Sequence, residues 1–78
     1  MTTRDLPIRG DSIRLGQALK LSGLADSGGE ARALLEQGAV TVNAQVELRR
    51  GRQLHHGDVV ALGDQALRIA TAEDSPQR

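Results

Sequence analysis

Apolar positions fall at helical spacing along the first half of the chain and alternate along the second. In SIRLGQALKLSG, Leu15, Ala18, Leu19 and Ser22 occupy the 0, 3, 4, 7 positions of one helical face. Ser12 is placed to cap this helix, and Gly23 fits its C-terminal end. After the short link LAD, Ala31, Leu34, Leu35 and Gly38 repeat the spacing, with Arg32 and Glu36 paired i,i+4 on the outer side. Gly38 suits the left-handed position that closes a helix. From Ala39 the period is two: AVTVN sets Val40 and Val42 inward and Thr41 outward, and QVEL continues with Val46 and Leu48. The turn between them is Asn43-Ala44, where the commonest two-residue hairpin turn has Asn-Gly. A left-handed Ala costs about 1–2 kcal/mol, which predicts a looser or longer turn. RRGRQL then reads as a basic connector, HHGD as a turn, and VVAL and ALRIA as two further strands joined by GDQ. Helices first and strands after predict an α+β domain: two short antiparallel helices packed on one face of a small antiparallel β-sheet.

The ends fall outside this pattern. Residues 1–12 show no period and mix charge with Pro and Gly, so they read as a flexible N-terminal arm. Residues 71–78 read as a disordered C-terminal tail, leaving residues 13–70 as the domain proper.

Composition narrows what such a domain can do. A chain of 78 residues holds one small core, filled by Leu, Val, Ile and Ala because Phe, Tyr and Trp are absent. Cys is absent too, which removes disulfides and thiolate metal sites. No apolar run approaches the ~18 residues of a membrane span, and the N-terminus lacks the apolar stretch of a signal peptide. The expectation is a soluble cytoplasmic monomer with no membrane partner. Ten basic and ten acidic residues cancel, which argues against coating a polyanion by bulk charge. The distribution is less even: between residues 13 and 56 the cations exceed the acids by two.

Two places hold candidate chemistry. Ser27 and Glu30 form the S-x-x-E capping box, in which each side chain satisfies a backbone N–H at the start of a helix. That accounts for Ser27 and Glu30 but not for Gly28 and Gly29. Those glycines lie in the first turn, where N–H groups are unpaired and the helix dipole is positive, so a phosphate could approach the bare backbone. Glu30 competes for the same donors. The second place is Arg49, Arg50 and Arg52, the densest charge in the chain. Such a run is either a solvated loop or, with Gly51 turning the chain, a convergent set of guanidiniums suited to forked phosphate contacts. His55 and His56 are adjacent and lack a third ligand, so no metal site is expected. No catalytic constellation and no cofactor are suggested. Without aromatic side chains there is no platform on which to stack single-stranded bases. A nucleic acid would be read through phosphates and shape.

Residues 13–60 as a whole resemble the RNA-binding domain named after small-subunit ribosomal protein S-four, the alpha-L RNA-binding motif. They are most similar to its short stand-alone bacterial members. The shared features are the R-L opening (Arg14, Leu15), the S-G-G-E-A-[KR] helix start (Ser27 to Arg32) and the G-x-V-x-V-N hairpin (Gly38 to Asn43). An R-R-x-[KR] connector (Arg49 to Arg52) and a late G-D (Gly57, Asp58) complete the match. The resemblance implies a helical pair on a small antiparallel sheet that binds structured RNA through its backbone. Carried over by position, the contacts come from Ser27, Gly28, Gly29, Arg32, Arg49, Arg50 and Arg52, with Arg14 and Lys20 at the margin. Three positions depart from the pattern: Gly28 stands where many larger members have Arg, Ala44 where Gly is usual, and Gln53 where close relatives often have Lys.

The function expected is that of a non-enzymatic RNA-binding protein recognising structured ribosomal or transfer RNA, with the ribosome or a ribosome-assembly particle as a possible partner. With about four phosphates neutralised, the log–log salt slope is expected at roughly −3 to −4. The alternative is a protein–protein adaptor module on a ribosome-associated or RNA-processing complex.

Overall fold

The computed structural model describes residues 2–71. Seven strands and two helices follow in the order β1 (Thr2–Ile8), β2 (Ser12–Arg14), α1 (Leu15–Leu21), α2 (Gly28–Glu36), β3 (Val40–Val42), β4 (Gln45–Val46), β5 (Gln53–His55), β6 (Val59–Leu62) and β7 (Gln65–Thr71). Five strands form one sheet in the order β1-β7-β6-β3-β4, while β2 and β5 pair separately. The domain is α+β as expected. The main sheet, however, is mixed: β1 runs parallel to β7, and the remaining neighbours are antiparallel.

The parallel strand corrects the reading of residues 1–12 as a flexible arm. Thr2 to Ile8 register against Gln65 to Thr71 over their whole length. Leu6 and Ile8 turn inward and are buried, and Pro7 between them faces outward. Proline is tolerated because β1 lies at the edge of the sheet, where a missing donor is harmless. Two further contacts hold the strand: Arg4 donates to the Ser22 carbonyl at the end of α1 (2.9 Å), and Asp5 pairs with Arg68 (3.2 Å). Two inward apolar residues are too few to announce a strand; its partner is 63 residues away along the chain. At the other end Thr71 closes β7, and the rest of the expected tail lies outside the described residues.

Helical spacing translates directly into burial. Leu15, Ala18 and Leu19 of α1 and Ala31 and Leu35 of α2 point into the core, where they meet Val40, Val60, Leu54, Leu67 and Ile69 from the strands. Gly23 (φ +84°) and Gly38 (φ +73°) take left-handed conformations just after the two helices, as their positions predict.

The β3–β4 hairpin differs from expectation in two ways. Its turn is the tight two-residue type, with Asn43 (φ 52°) and Ala44 (φ 73°) both left-handed and Val42 registered against Gln45. The Asn43 side chain holds this turn. Its Oδ1 accepts from the Val59 N–H (3.0 Å) and its Nδ2 donates to Asp58 (3.1 Å). These bonds, together with the Asn43 N–H donating to Val59 (2.8 Å), impose the conformation that Ala44 alone disfavours. Beyond the turn, Val46 and Leu48 face solvent (60% and 59% exposed), while Glu47 between them is buried (8% exposed). The expected alternation is thus inverted, and the cause lies in the connector described next.

Candidate nucleic-acid interface

Helix α1 starts without a side-chain cap. Ser12, expected in that role, lies in β2 opposite His55. The first N–H groups of the helix donate to the connector instead: Leu15 to the Arg52 carbonyl (2.8 Å) and Gly16 to the Arg50 carbonyl (3.0 Å). Unpaired donors at a helix start need acceptors, and here a loop distant in sequence supplies them. The same bonds press Arg50 against α1. A Cβ built on Gly16 would lie 3.5 Å from the Arg50 Cβ.

An open groove of about 470 Å³ results between the helices and the connector. Arg14, Gln17 and Lys20, spaced three apart along the start and body of α1, line one side. Gly28 and Ala31 from α2 line a second, and Arg50 and Gly51 close a third, with Gly16 at the base. Among the described residues no acid lines it. Arg14, Lys20 and Arg50 are exposed, and none forms an ion pair among the described residues.

At the α2 wall the capping box takes a slightly shifted form. Ser27 Oγ accepts the Glu30 N–H (3.1 Å), but Glu30 Oε1 reaches the N–H of Asp26 (2.5 Å), one residue before the cap. The N–H groups of Gly28 and Gly29 make no hydrogen bond within the described residues. Neither glycine has a positive φ. A Cβ on Gly28 would meet nothing within 4 Å, and one on Gly29 only Ser27 Oγ at 3.9 Å. Neither backbone conformation nor packing demands glycine at these positions. They leave two free donors and a side-chain-free surface at the positive end of a helix.

The connector arginines part company. Arg49 is held by the Glu47 carboxylate through its side chain (3.1 Å) and its own N–H (3.0 Å), and Arg52 by the other carboxylate oxygen (2.9 Å). Hydrogen bonds from the Arg49 side chain and N–H, then from Arg52, depress the Glu47 pKa to about 2. The inward turn of Glu47 and the inverted alternation around it follow from this clamp. Arg50 alone of the three lines the groove. Arg32 lies outside it, paired with Glu36 (3.1 Å) on the exposed side of α2, and Ser27 and Gly29, the chain neighbours of Gly28, are not among its lining residues. Of the sequence-designated residues, the structure therefore gathers Arg14, Lys20, Gly28 and Arg50 in one place. Gln17, which lines the groove, and Glu47, which clamps the connector, were not among the designated residues. Gln17 could have been found from its i±3 spacing to Arg14 and Lys20. Glu47 could have been found as the lone acid preceding an arginine run.

Asp58 braces the turn before β6, accepting from the His55 N–H (2.8 Å) and the Asn43 amide (3.1 Å). Partial burial works to raise its pKa, but the His55 N–H, the Asn43 amide and the charges of Arg52 and His55 outweigh that and hold it below the ordinary value. Among the described residues no group of three or more His, Cys, Asp or Glu is placed to hold a metal ion, and no helix is long and apolar enough to cross a membrane.

Comparison with known families matches residues 6–70 to the S4 domain. The chain is also similar to a protein of Bacillus subtilis (strain 168) named "Probable ribosome maturation protein RlbA". The two are 46% identical over 52 residues, a stretch covering 67% of this chain and 73% of that one.

Proposed function

We propose, from the premise that this chain belongs to the S4 domain family, that it is a non-enzymatic protein that binds structured RNA through phosphate and shape contacts. The single observation that carries the reading is the groove in which Arg14, Lys20 and Arg50, none ion-paired among the described residues, meet the bare start of α2 at Gly28. Three cations with no acid among them favour a ligand carrying several closely spaced negative charges. The free N–H groups of Gly28 and Gly29 suit an oxygen of such a ligand. With no aromatic residue to stack bases, recognition falls to backbone and shape, which suits a folded RNA. Ribosomal RNA is the leading candidate, in keeping with the maturation role in the name of the Bacillus subtilis relative. Transfer RNA is the other. The partner on this reading is a ribosome or a ribosome-assembly particle.

The test is binding of transcribed ribosomal RNA fragments and a transfer RNA across a salt series. Glu47 holds two connector arginines, so three phosphates rather than four are neutralised, and the log–log slope is expected at roughly −2 to −3. Replacing Arg14, Lys20 and Arg50 together with Ala should bring the slope close to zero, whereas Arg68→Ala should leave it unchanged. Salt-independent affinity, or equal loss in both variants, overturns the reading.

A second reading, an adaptor that docks on another protein, is favoured by the exposed Val46 and Leu48 beside the connector. The ultraviolet spectrum of the purified protein separates the two. The chain has no Trp or Tyr, so co-purified nucleic acid dominates the absorbance if the first reading holds.

A further inference from the structure

Gln17 sits at the centre of the groove's cationic wall, between Arg14 and Lys20 on the same face of α1. Its side chain is exposed and makes no hydrogen bond within the described residues. The other polar side chains lining the groove are Arg14, Lys20 and Arg50. These offer donors and permanent positive charge but no acceptor, so they can meet guanine's paired acceptors but not the mixed donor–acceptor edge of adenine. Gln17 offers an amide N–H₂ and a carbonyl oxygen side by side. Nothing in the packing requires this residue, since it points away from the Leu15, Ala18 and Leu19 stripe that builds the core.

We infer that Gln17 is the residue through which the groove reads a base, and that the base is an unpaired adenine presented edge-on by a folded RNA. A side-chain amide matches adenine in a bidentate way: its oxygen accepts from the exocyclic N6–H₂ and its N–H₂ donates to a ring nitrogen. Unpaired bases in loops and bulges expose the edges that such a contact needs. A groove of about 470 Å³ is ample for one nucleotide. The division of labour is then physical: the cations set affinity and its salt dependence, and Gln17 sets base preference. This inference rests on the RNA-binding reading above.

The experiment selects from a pool of RNA hairpins with randomised unpaired loops, using the wild-type chain and the Gln17→Met, Gln17→Ala and Arg50→Ala variants. Gln17→Met keeps length and helix propensity and removes only the hydrogen-bonding pair. The wild type should enrich adenine at one loop position by about five-fold or more over the other bases. Both Gln17 variants should lose that enrichment while keeping the salt slope of the wild type. Arg50→Ala should keep the preference and lower the slope by about one. Undiminished adenine enrichment in Gln17→Met, or no base preference in the wild type, overturns the inference while leaving RNA binding intact. Absence of binding to any hairpin overturns both. Circular dichroism of the variants should match that of the wild type, since both positions are exposed.

Discussion

The Gly16 N–H donates to the Arg50 carbonyl at 3.0 Å, so one hydrogen bond both closes the start of α1 and fixes the arginine at the mouth of the groove. The Arg52 carbonyl does the same for Leu15. The connector is therefore part of the helix cap, and two of its carbonyls are tied to the helix they complete. Flexible loops lose entropy when their side chains are ordered by a ligand. This loop has its backbone tied to α1 in advance, which on the proposed function lowers the cost of an Arg50–phosphate contact.

Glu47 ties acid stability to the two connector arginines it clamps and, on the proposed function, to RNA affinity. Its folded-state pKa of about 2 lies below the ordinary 4.5. A depressed carboxylate contributes stability that is complete above the ordinary value and is lost as pH falls toward the folded one. Acid unfolding followed by far-ultraviolet circular dichroism should show this loss between about pH 4.5 and 2. Glu47→Gln should be less stable at neutral pH and should lose less between those limits, the remainder reflecting Asp58, whose pKa is also lowered. The same variant releases Arg49 and Arg52, so its RNA salt slope should steepen by about one to two. A slope equal to that of the wild type would show that the released guanidiniums do not reach RNA.

Gly28→Ala separates stability from binding. The added methyl meets nothing within 4 Å, and the backbone does not require glycine. Replacing Gly at a compatible helical position stabilises by about 0.4–1 kcal/mol, chiefly by restricting the unfolded chain. Thermal unfolding should therefore shift upward. Affinity for RNA should fall at the same time, because the methyl would stand where the proposed function has a phosphate approach the Gly28 N–H. If both stability and affinity rise, the backbone contact at Gly28 is refuted.

Ala44 carries local strain that a single change relieves. At φ 73° it occupies a region that costs a side chain about 1–2 kcal/mol. Ala44→Gly should gain about 1 kcal/mol after the extra entropy of glycine in the unfolded chain, raising the midpoint by about 4–8 °C for a domain of this size. Asn43→Ala should act in the opposite direction, because it removes the two side-chain bonds to Asp58 and Val59 that hold the turn. An unchanged midpoint in Ala44→Gly would mean that the turn relaxes without strain.

The parts of this protein legible in its sequence are those decided over a few residues. Both helices were read from the spacing of Leu15, Ala18, Leu19 and of Ala31, Leu34, Leu35. The cap at Ser27, the left-handed Gly23 and Gly38, and strands β6 and β7 were equally local. Each depends on hydrophobic period or capping chemistry within one or two turns of chain. Tertiary structure decided the rest. Strand β1 exists because β7 offers it an edge, so Leu6 and Ile8 alone could not declare it. The start of α1 is satisfied by the carbonyls of Arg50 and Arg52, so Ser12 was free to join a strand. Glu47 turns inward because two arginines meet it there, which reverses the alternation that Val46 and Leu48 suggested. That clamp also determines which connector arginine is left for the groove: composition lists three equivalent guanidiniums, and only their distances to one carboxylate distinguish Arg50 from Arg49 and Arg52. Period and capping are properties of neighbours in sequence, whereas strand pairing and charge pairing depend on neighbours in space, which only the folded chain brings together.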